Sequence, residues 1–454
     1  MDPSSVWNQV LAGQTDILRV CADLDAHMRA ARLTFGGRLL CPFLRPFFLD
    51  ATDEARVKEA AETLWTLGER IAQAAMTDRS LLEDLALSEE EIRLATIDPG
   101  YQTTSTAARA DAFVLPDSLQ FAEYNGESPA GAAYSQGLAE AFNTTELMTR
   151  FRDRMPDVRM YRPIPLLLDA LIASYREWGG TARPPLMAIV DWKDVPTYSE
   201  FEILAEAFTN AGVPTIIADP RDLELVESGS SRTLRSSGSS RALRSSSDGR
   251  PIDLVYRRVL INDIIARPDE CRALVEAYEH RLVCVANSLR CKIPHKKAFF
   301  AVLTDERRAY LFSDRERELI RRHVPRTILV REDTIPYLRE HRERLVIKPN
   351  DEYGGTGVTL GWETDAREWD RAIERAAAER SRGWVAQEKI IVRREPFPVC
   401  TSGGVDMRDM LVDFAPYLFR GKLAGFLTRL SATGLANVTS GGGQVPAFVT
   451  ASTI

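Results

Sequence analysis

The sequence predicts an α/β chain with α+β character, on three observations. In the first hundred residues Val57, Ala60, Ala61, Leu64, Gly68, Ile71 and Ala75 recur at spacings of three and four with charged residues between them, the pattern of amphipathic helix. Between residues 185 and 220 the order strand, helix, strand makes a βαβ unit, which puts a parallel sheet in the middle of the chain. After about Cys271 helix and strand alternate again towards a Gly-rich end, so the second half holds an α/β lobe of its own.

In chain order this gives four regions. Residues 1–100 form a helical N-terminal region, in which Ser88 followed by Glu91 is a capping box opening a further short helix. Residues 101–180 change texture to Gly, Ser, Thr and aromatic residues, culminating in ARADAFVLPDSLQFAEYNGESPAG (Ala108 to Gly131), a polar segment flanked by strand-like runs. Residues 181–270 carry the βαβ lobe: a strand Leu186 to Val190, a helix from near Ser199 to Gly212, a strand Thr215 to Ala218, and a delayed strand Leu254 to Tyr256. The delay is a Ser/Arg-rich insert, 228–249, in which GSSRTLRSS (Gly229 to Ser237) returns almost unchanged as GSSRALRSS (Gly238 to Ser246). With so few apolar residues it reads as a disordered loop, or alternatively as a phosphorylated or anion-binding arm. Residues 271–454 form the second α/β lobe.

Composition narrows the function. Of 454 residues 44% are hydrophobic and 27% charged, enough apolar material for a sizeable core, which excludes a wholly disordered chain. The 58 Lys and Arg against 65 Asp and Glu leave a net charge of −7 without a basic stripe, so no nucleic-acid partner is expected. Six widely spaced cysteines (Cys21, Cys41, Cys271, Cys284, Cys291, Cys400) read as reduced, mostly buried thiols of a cytoplasmic protein. His295, four residues after Cys291, is the one histidine near another soft ligand, so no structural zinc is expected. Asp2 in place of a basic leader, and no run of about 20 apolar residues, point away from export by that route and from a membrane.

Two constellations carry chemistry. In Val346 to Val358 an apolar strand ends at Lys348 and Pro349 and a loop with Gly354, Gly355 and Gly357 follows. Glycines let successive N–H groups approach an anion and a lysine adds a point charge, so the loop reads as a phosphate cradle or as the turn of a hairpin. The spacing matches neither Gly-x-Gly-x-x-Gly nor the P-loop. The second set is Arg109, Asp111, Glu123 and Asn125: hard oxygen donors suited to Mg²⁺ beside a guanidinium that could neutralise phosphoryl charge, or else a solvated polar strand and turn. Arg257 and Arg258 directly follow a strand, where they could clamp a substrate carboxylate or form a surface salt bridge, and Glu127 could orient a substrate amine. Tyr124, Trp192 and Trp362 read as packing or pocket-wall aromatics, and Cys400 has no base partner that would make it a nucleophile.

Together ARADAF, FAEYNGESPAG, PHKKAFF (Pro294 to Phe300), KPNDEYGGTGV, VAQEKI and the late GFLTRLSATGLANVTSGGGQVP resemble the synthetase domain of glutathionylspermidine synthase and its relatives, the circularly permuted ATP-grasp proteins. The metal set precedes the nucleotide lysines, the reverse of the ordinary ATP-grasp order. The resemblance implies that 101–180 is the metal-binding part of a permuted core, 181–270 a pre-ATP-grasp-like lobe and 271–454 the nucleotide-binding lobe. It implies Mg²⁺ on Asp111, Glu123 and Asn125, Arg109 and Arg429 near the transferred phosphoryl group, ATP phosphates on Lys297 (or, one register off, Lys296) and Lys348, Gly354, Gly355 and Gly357 as a lid, and Gln387 and Glu388 at the adenine hinge. The implied activity is an ATP-dependent carboxylate–amine ligase acting on a small-molecule or peptide carboxylate and an amine. A phosphotransferase or a non-catalytic nucleotide-binding scaffold are the alternatives. The chain departs from glutathionylspermidine synthase in its short helical N-terminus, without an amidase domain, and in the Ser/Arg insert, so glutathione and spermidine do not carry over.

Overall fold

The computed structural model describes residues 2–227, 241–352, 354–379, 383–433 and 442–451. Its centre is a six-stranded antiparallel sheet in the order Gly443–Val445, Lys422–Ser431, Gly404–Phe419, Ala107–Leu115, Ser118–Asn125, with Arg393–Thr401 also pairing with Gly404–Phe419. A hairpin from the first third of the chain thus completes a sheet built from the last 60 or so residues.

The expected helix is Ala51–Ala75, opened by the Asp50 carboxylate, which accepts the Thr52 and Asp53 N–H groups at 2.8 Å each. Its apolar stripe, Val57 to Ile71, packs with Ala108, Ala110, Ala112, Phe121 and Phe414 on one face of the central sheet. Each such fully buried large side chain contributes roughly 1.5–3 kcal/mol, so this face is anchored and the opposite face is left to carry polar groups. The Ser88–Glu91 capping box opens the helix Glu89–Thr96, with both reciprocal hydrogen bonds formed. Region 1–100 is not purely helical: Phe47–Asp50 pairs in parallel with Ala447–Thr450 near the other end of the chain.

The middle lobe is a parallel sheet in the order Cys284–Ala286, Leu254–Arg257, Met187–Val190, Thr215–Ala218, with the helix Tyr198–Asn210 between its first two strands in sequence. Asn287, just beyond Cys284–Ala286, fastens this lobe to the central hairpin. Its amide donates to the carbonyls of Ala107, Gly126 and Glu127 at 2.7–2.9 Å, and its oxygen accepts the Ala107 N–H at 2.8 Å. The last sheet runs Thr327–Leu329, Trp384–Glu388, Leu345–Pro349, Thr359–Leu360 and packs on the helix Ala366–Ala378 through Trp369 and Ile373.

Two expectations need correction. Residues 228–240 of the Ser/Arg insert lie outside the described residues, but Arg241–Ser245 is a strand paired antiparallel with Leu223–Glu227, because Ala242 and Leu243 supply just enough apolar surface to bury. Cys21 and Cys400 are not free thiols but joined in a disulfide, which ties the helix Ile17–Ala30 to the strand Arg393–Thr401; Cys41, Cys271, Cys284 and Cys291 are free and buried. No helix among the described residues is long and apolar enough to cross a membrane.

Candidate active site

The hairpin register sets the site. Arg109 lies opposite Asn125 and Asp111 opposite Glu123, so all four side chains share one face of the central sheet. A bulge at Ala122 makes this possible. Leu119 and Phe121 face the core; without an extra residue Glu123 and Asn125 would follow them inward, but the bulge shifts the phase and Tyr124 turns inward instead. Further along the same face Tyr417 lies opposite Arg109, and Arg429 opposite Asp413.

These groups form a charge ladder. Arg109 donates from Nε to Asp111 Oδ1 at 2.8 Å and from Nη2 to Oδ2 at 3.3 Å; Arg429 Nη2 bridges Asp111 Oδ2 and Asp413 Oδ2. Burial opposes charge on Asp111, but Arg109 and Arg429 outweigh it and hold the carboxyl well below its usual range. Burial dominates at Asp413, which is pushed up to about 6 against the pull of Arg429.

The other lobe brings the lysines. Lys348, on the strand Leu345–Pro349, donates to Gln387 Oε1 at 2.6 Å and to the carbonyl of the bulged Ala122 at 3.3 Å. Burial lowers it to about 8, with Lys297 adding to the fall and Glu123 opposing it. Lys297 reaches Glu123 at 3.5 Å and donates to the Glu352 carbonyl at 2.6 Å. Lys296 points elsewhere, into Glu91 at 2.8 Å and Asp351 at 3.1 Å, so Lys297 is the member of the pair beside the acidic set. Gly354, Gly355 and Gly357 all have positive φ, and a Cβ on Gly357 would meet Pro349 Cγ at 2.7 Å.

Other expected residues are placed differently. Gln387 is 3% exposed and its amide is committed to Lys348 and to Thr327 Oγ1 at 3.2 Å, while the Glu388 N–H donates to the Arg326 carbonyl at 2.9 Å. Glu127 is not available to an amine: its Oε1 accepts the Ile261 N–H and Arg257, and its Oε2 faces Lys292 at 3.3 Å and His295 at 3.5 Å. Arg257, fully buried, is spent on Glu127, Val259 O, Asn287 O and Cys291 Sγ, so it clamps nothing from outside. Both belong to a buried ionic knot, which sequence reasoning missed, joining Glu91, Glu127 and Asp351 to Lys292, Lys296 and Arg257. Tyr124 packs on Phe299 in the core, Trp192 lies under Arg267 and Trp362 under Lys389.

The donor set fits Mg²⁺ in chemistry: two carboxylates and an amide oxygen carried on one face, next to two lysines. Among the described residues no group of three or more His, Cys, Asp or Glu side chains is placed to hold a metal ion, so Asn125 would have to complete the set.

Comparison with known proteins gives a consistent picture. The family model described as circularly permuted ATP-grasp type 2 matches residues 214–431, which contain the lysines, the glycine loop and Arg429 but not the hairpin. An uncharacterized protein of Synechocystis is 28% identical over 212 residues, 44% of this chain and 42% of that protein. A Frankia casuarinae protein with the provisional name glutamate–cysteine ligase 2-2 is 24% identical over 299 residues, 63% of this chain and 32% of that protein. The chain therefore spans less than half the length of these curated relatives. In fold it is similar to a glutathione synthetase-like effector from Globodera pallida, solved in its apo form, with a TM-score of 0.60 at 12% identity over 99% of this chain and 98% of that one. With an early hairpin closing a late sheet and residues 214–431 matching the family model, the chain has a mixed α/β fold consistent with that of the circularly permuted ATP-grasp proteins.

Proposed function

We propose that the protein is an ATP-dependent carboxylate–amine ligase. The observation that carries this reading is the meeting of two charge sets from distant parts of the sequence: Arg109, Asp111, Glu123, Asn125 and Arg429 on one sheet face, with Lys297 and Lys348 against it. Unlike the buried knot, whose charges satisfy one another, this set keeps some exposure, 19% at the Arg429 side chain and 22% at Glu123, so it can meet a ligand.

In this mechanism Asp111, Glu123 and Asn125 would hold Mg²⁺, which would supply positive charge to the phosphate oxygens. Lys297 and Lys348 lie along the phosphates; Gln387 Oε1 fixes the Lys348 ammonium in place. A carboxylate oxygen attacks the γ-phosphorus, the bond to the β-bridging oxygen breaks, and ADP leaves. Arg109 and Arg429 neutralise the charge on the transferred group. The amine then attacks the acyl carbon, phosphate leaves with the electron pair, and the ammonium proton passes to it or to solvent. No covalent bond to the protein is needed. Both arginines rest on Asp111, so a cation has to compete with them, and Asp413 keeps hold of Arg429 when it does. The provisional ligase name of the Frankia relative agrees with amide formation.

The test is phosphate release from Mg·ATP with paired carboxylates and amines, with Glu123→Gln as the control. Release that needs both partners and is lost in the control supports the ligase; release that needs a carboxylate or alcohol but no amine replaces it with a phosphotransferase.

A further inference from the structure

The middle lobe contains a second charged site. Its parallel sheet reverses winding between two neighbouring strands: from Met187–Val190 the chain moves outward to Thr215–Ala218, and from Leu254–Arg257 it moves the other way to Cys284–Ala286. In open α/β sheets such a switch point, beyond the strands' carboxyl ends, is where ligands bind, in the crevice between the diverging connections. Asp191 follows one strand and Arg258 the other, and the Arg258 N–H donates to the Val190 carbonyl at 2.9 Å, so the two stand side by side.

The polar groups here are incompletely used. Arg258 is 5% exposed and lies over the rings of Phe201 and Tyr256, yet only Nη1 is engaged, with Pro129 O at 2.6 Å and Tyr256 Oη at 3.2 Å. Its Nε is buried without a partner, so the Nε–Nη2 edge, the fork that grips a carboxylate, is not used up within the protein. Glu200, 2% exposed, caps the helix Ala132–Asn143 with Oε1, while Oε2 is buried and unpartnered. Asp191 Oδ1 accepts the Trp192 N–H at 2.8 Å. Both carboxylates lie within electrostatic reach of Arg258.

The crevice adjoins the phosphoryl-transfer site. Arg258 holds Pro129 O at 2.6 Å and Arg109 holds Ala130 O at 3.1 Å. With adjacent Cα atoms 3.8 Å apart, the two guanidinium groups stand within roughly 10 Å of each other, the reach of one small substrate.

We infer that this crevice binds a free α-amino acid, or the free amino-acid end of a short peptide, with its carboxylate on the Arg258 fork and its ammonium between Asp191 and Glu200. This rests on the ligase reading and names its substrate class.

The test is equilibrium binding of each proteinogenic L-amino acid, singly, to the full chain, with Mg·ATP binding measured on the same protein. The expected result is that at least one binds, and that its N-acetyl derivative and its carboxamide each bind about tenfold more weakly or worse. Arg258→Lys keeps the charge but loses the fork, and Asp191→Asn keeps the shape but loses the charge; each should weaken amino-acid binding about tenfold while Mg·ATP affinity stays within about twofold. If Arg258→Lys does not fold, Asp191→Asn decides. No binding by any amino acid, equal binding of the blocked derivatives, or unchanged binding in the variants overturns the inference. Mg·ATP binding with no amino-acid binding removes the crevice and leaves the ligase; amino-acid binding without Mg·ATP binding keeps the crevice and removes the ligase.

Discussion

Raising the pH from 7 to 9 should weaken ATP binding about tenfold through one residue. Burial holds Lys348 at about 8, and phosphate pairs only with its ammonium form. The apparent Kd then scales as one plus ten to the power (pH − 8), a factor of about 1.1 at pH 7 and about 11 at pH 9. At pH 8 half the sites are neutral, so ATP binding should take up about half a proton. Calorimetric titration in two buffers of different ionisation enthalpy reads that uptake directly, and Lys348→Arg should abolish both it and the pH dependence. Folding stability moves the other way. A lysine at about 8 in the folded state and 10.5 in the unfolded chain leaves the unfolded chain with the extra proton between those values, so ligand-free stability from this group rises with pH across that window. At 1.36 kcal/mol per pH unit the gain is at most about 3 kcal/mol, an upper bound because Lys348 keeps some solvent contact. A Kd that is flat from pH 7 to 9, or binding heats independent of buffer, would refute the reasoning.

Further outcomes follow from the same geometry. Asp111→Asn leaves Arg109 and Arg429 buried with Asp413 as their remaining carboxylate in the ladder and should cost about 3 kcal/mol or more in urea unfolding; an unchanged midpoint would mean the ladder does not neutralise them. Lys292→Met breaks the ionic knot at its centre and should cost about 3–5 kcal/mol by the same measurement. At Gly131, with φ +101° and a Cβ site 2.7 Å from Tyr417 Oη, Gly131→Ala should cost roughly 1–3 kcal/mol and raise the KM for ATP, since the adjoining Ala130 carbonyl anchors Arg109. Reducing Cys21–Cys400 should lower unfolding free energy by about 2–4 kcal/mol, read by denaturation with and without reductant, with mass spectrometry counting the thiols.

Which candidate residues share a face was legible in sequence only where the spacing is short. Arg109 and Asp111 stand two apart on a strand, and the register puts them on one face as that spacing requires. Glu123 and Asn125, also two apart, share a face by the same spacing, but which face was not legible. Simple alternation from Leu119 and Phe121 would turn them inward, and only the bulge at Ala122 prevents it. Bulges depend on partner strands, so no local pattern announces them. The same holds for Lys296 against Lys297 and Arg257 against Arg258. Neighbouring identical charges look equivalent in a sequence, and what separates them is the distant partner: Glu91 and Asp351 for Lys296, Glu127 for Arg257. Asn287, which joins two lobes through four hydrogen bonds, gave no signal, because a lone Asn after a short strand is ordinary loop composition. The strand Arg241–Ser245 escaped notice because two apolar residues suffice when a partner strand is already in place.

The central claim is that a carboxylate is activated by phosphoryl transfer. The direct measurement is to supply the acyl substrate with ¹⁸O in both carboxylate oxygens, run the Mg·ATP reaction to completion with the amine, and weigh the released phosphate. The account requires one ¹⁸O per phosphate, carried over when the amine displaces it from the acyl phosphate, with a matching loss from the amide product. Phosphate without ¹⁸O would show that water or another acceptor took the γ-phosphoryl group, and would contradict it.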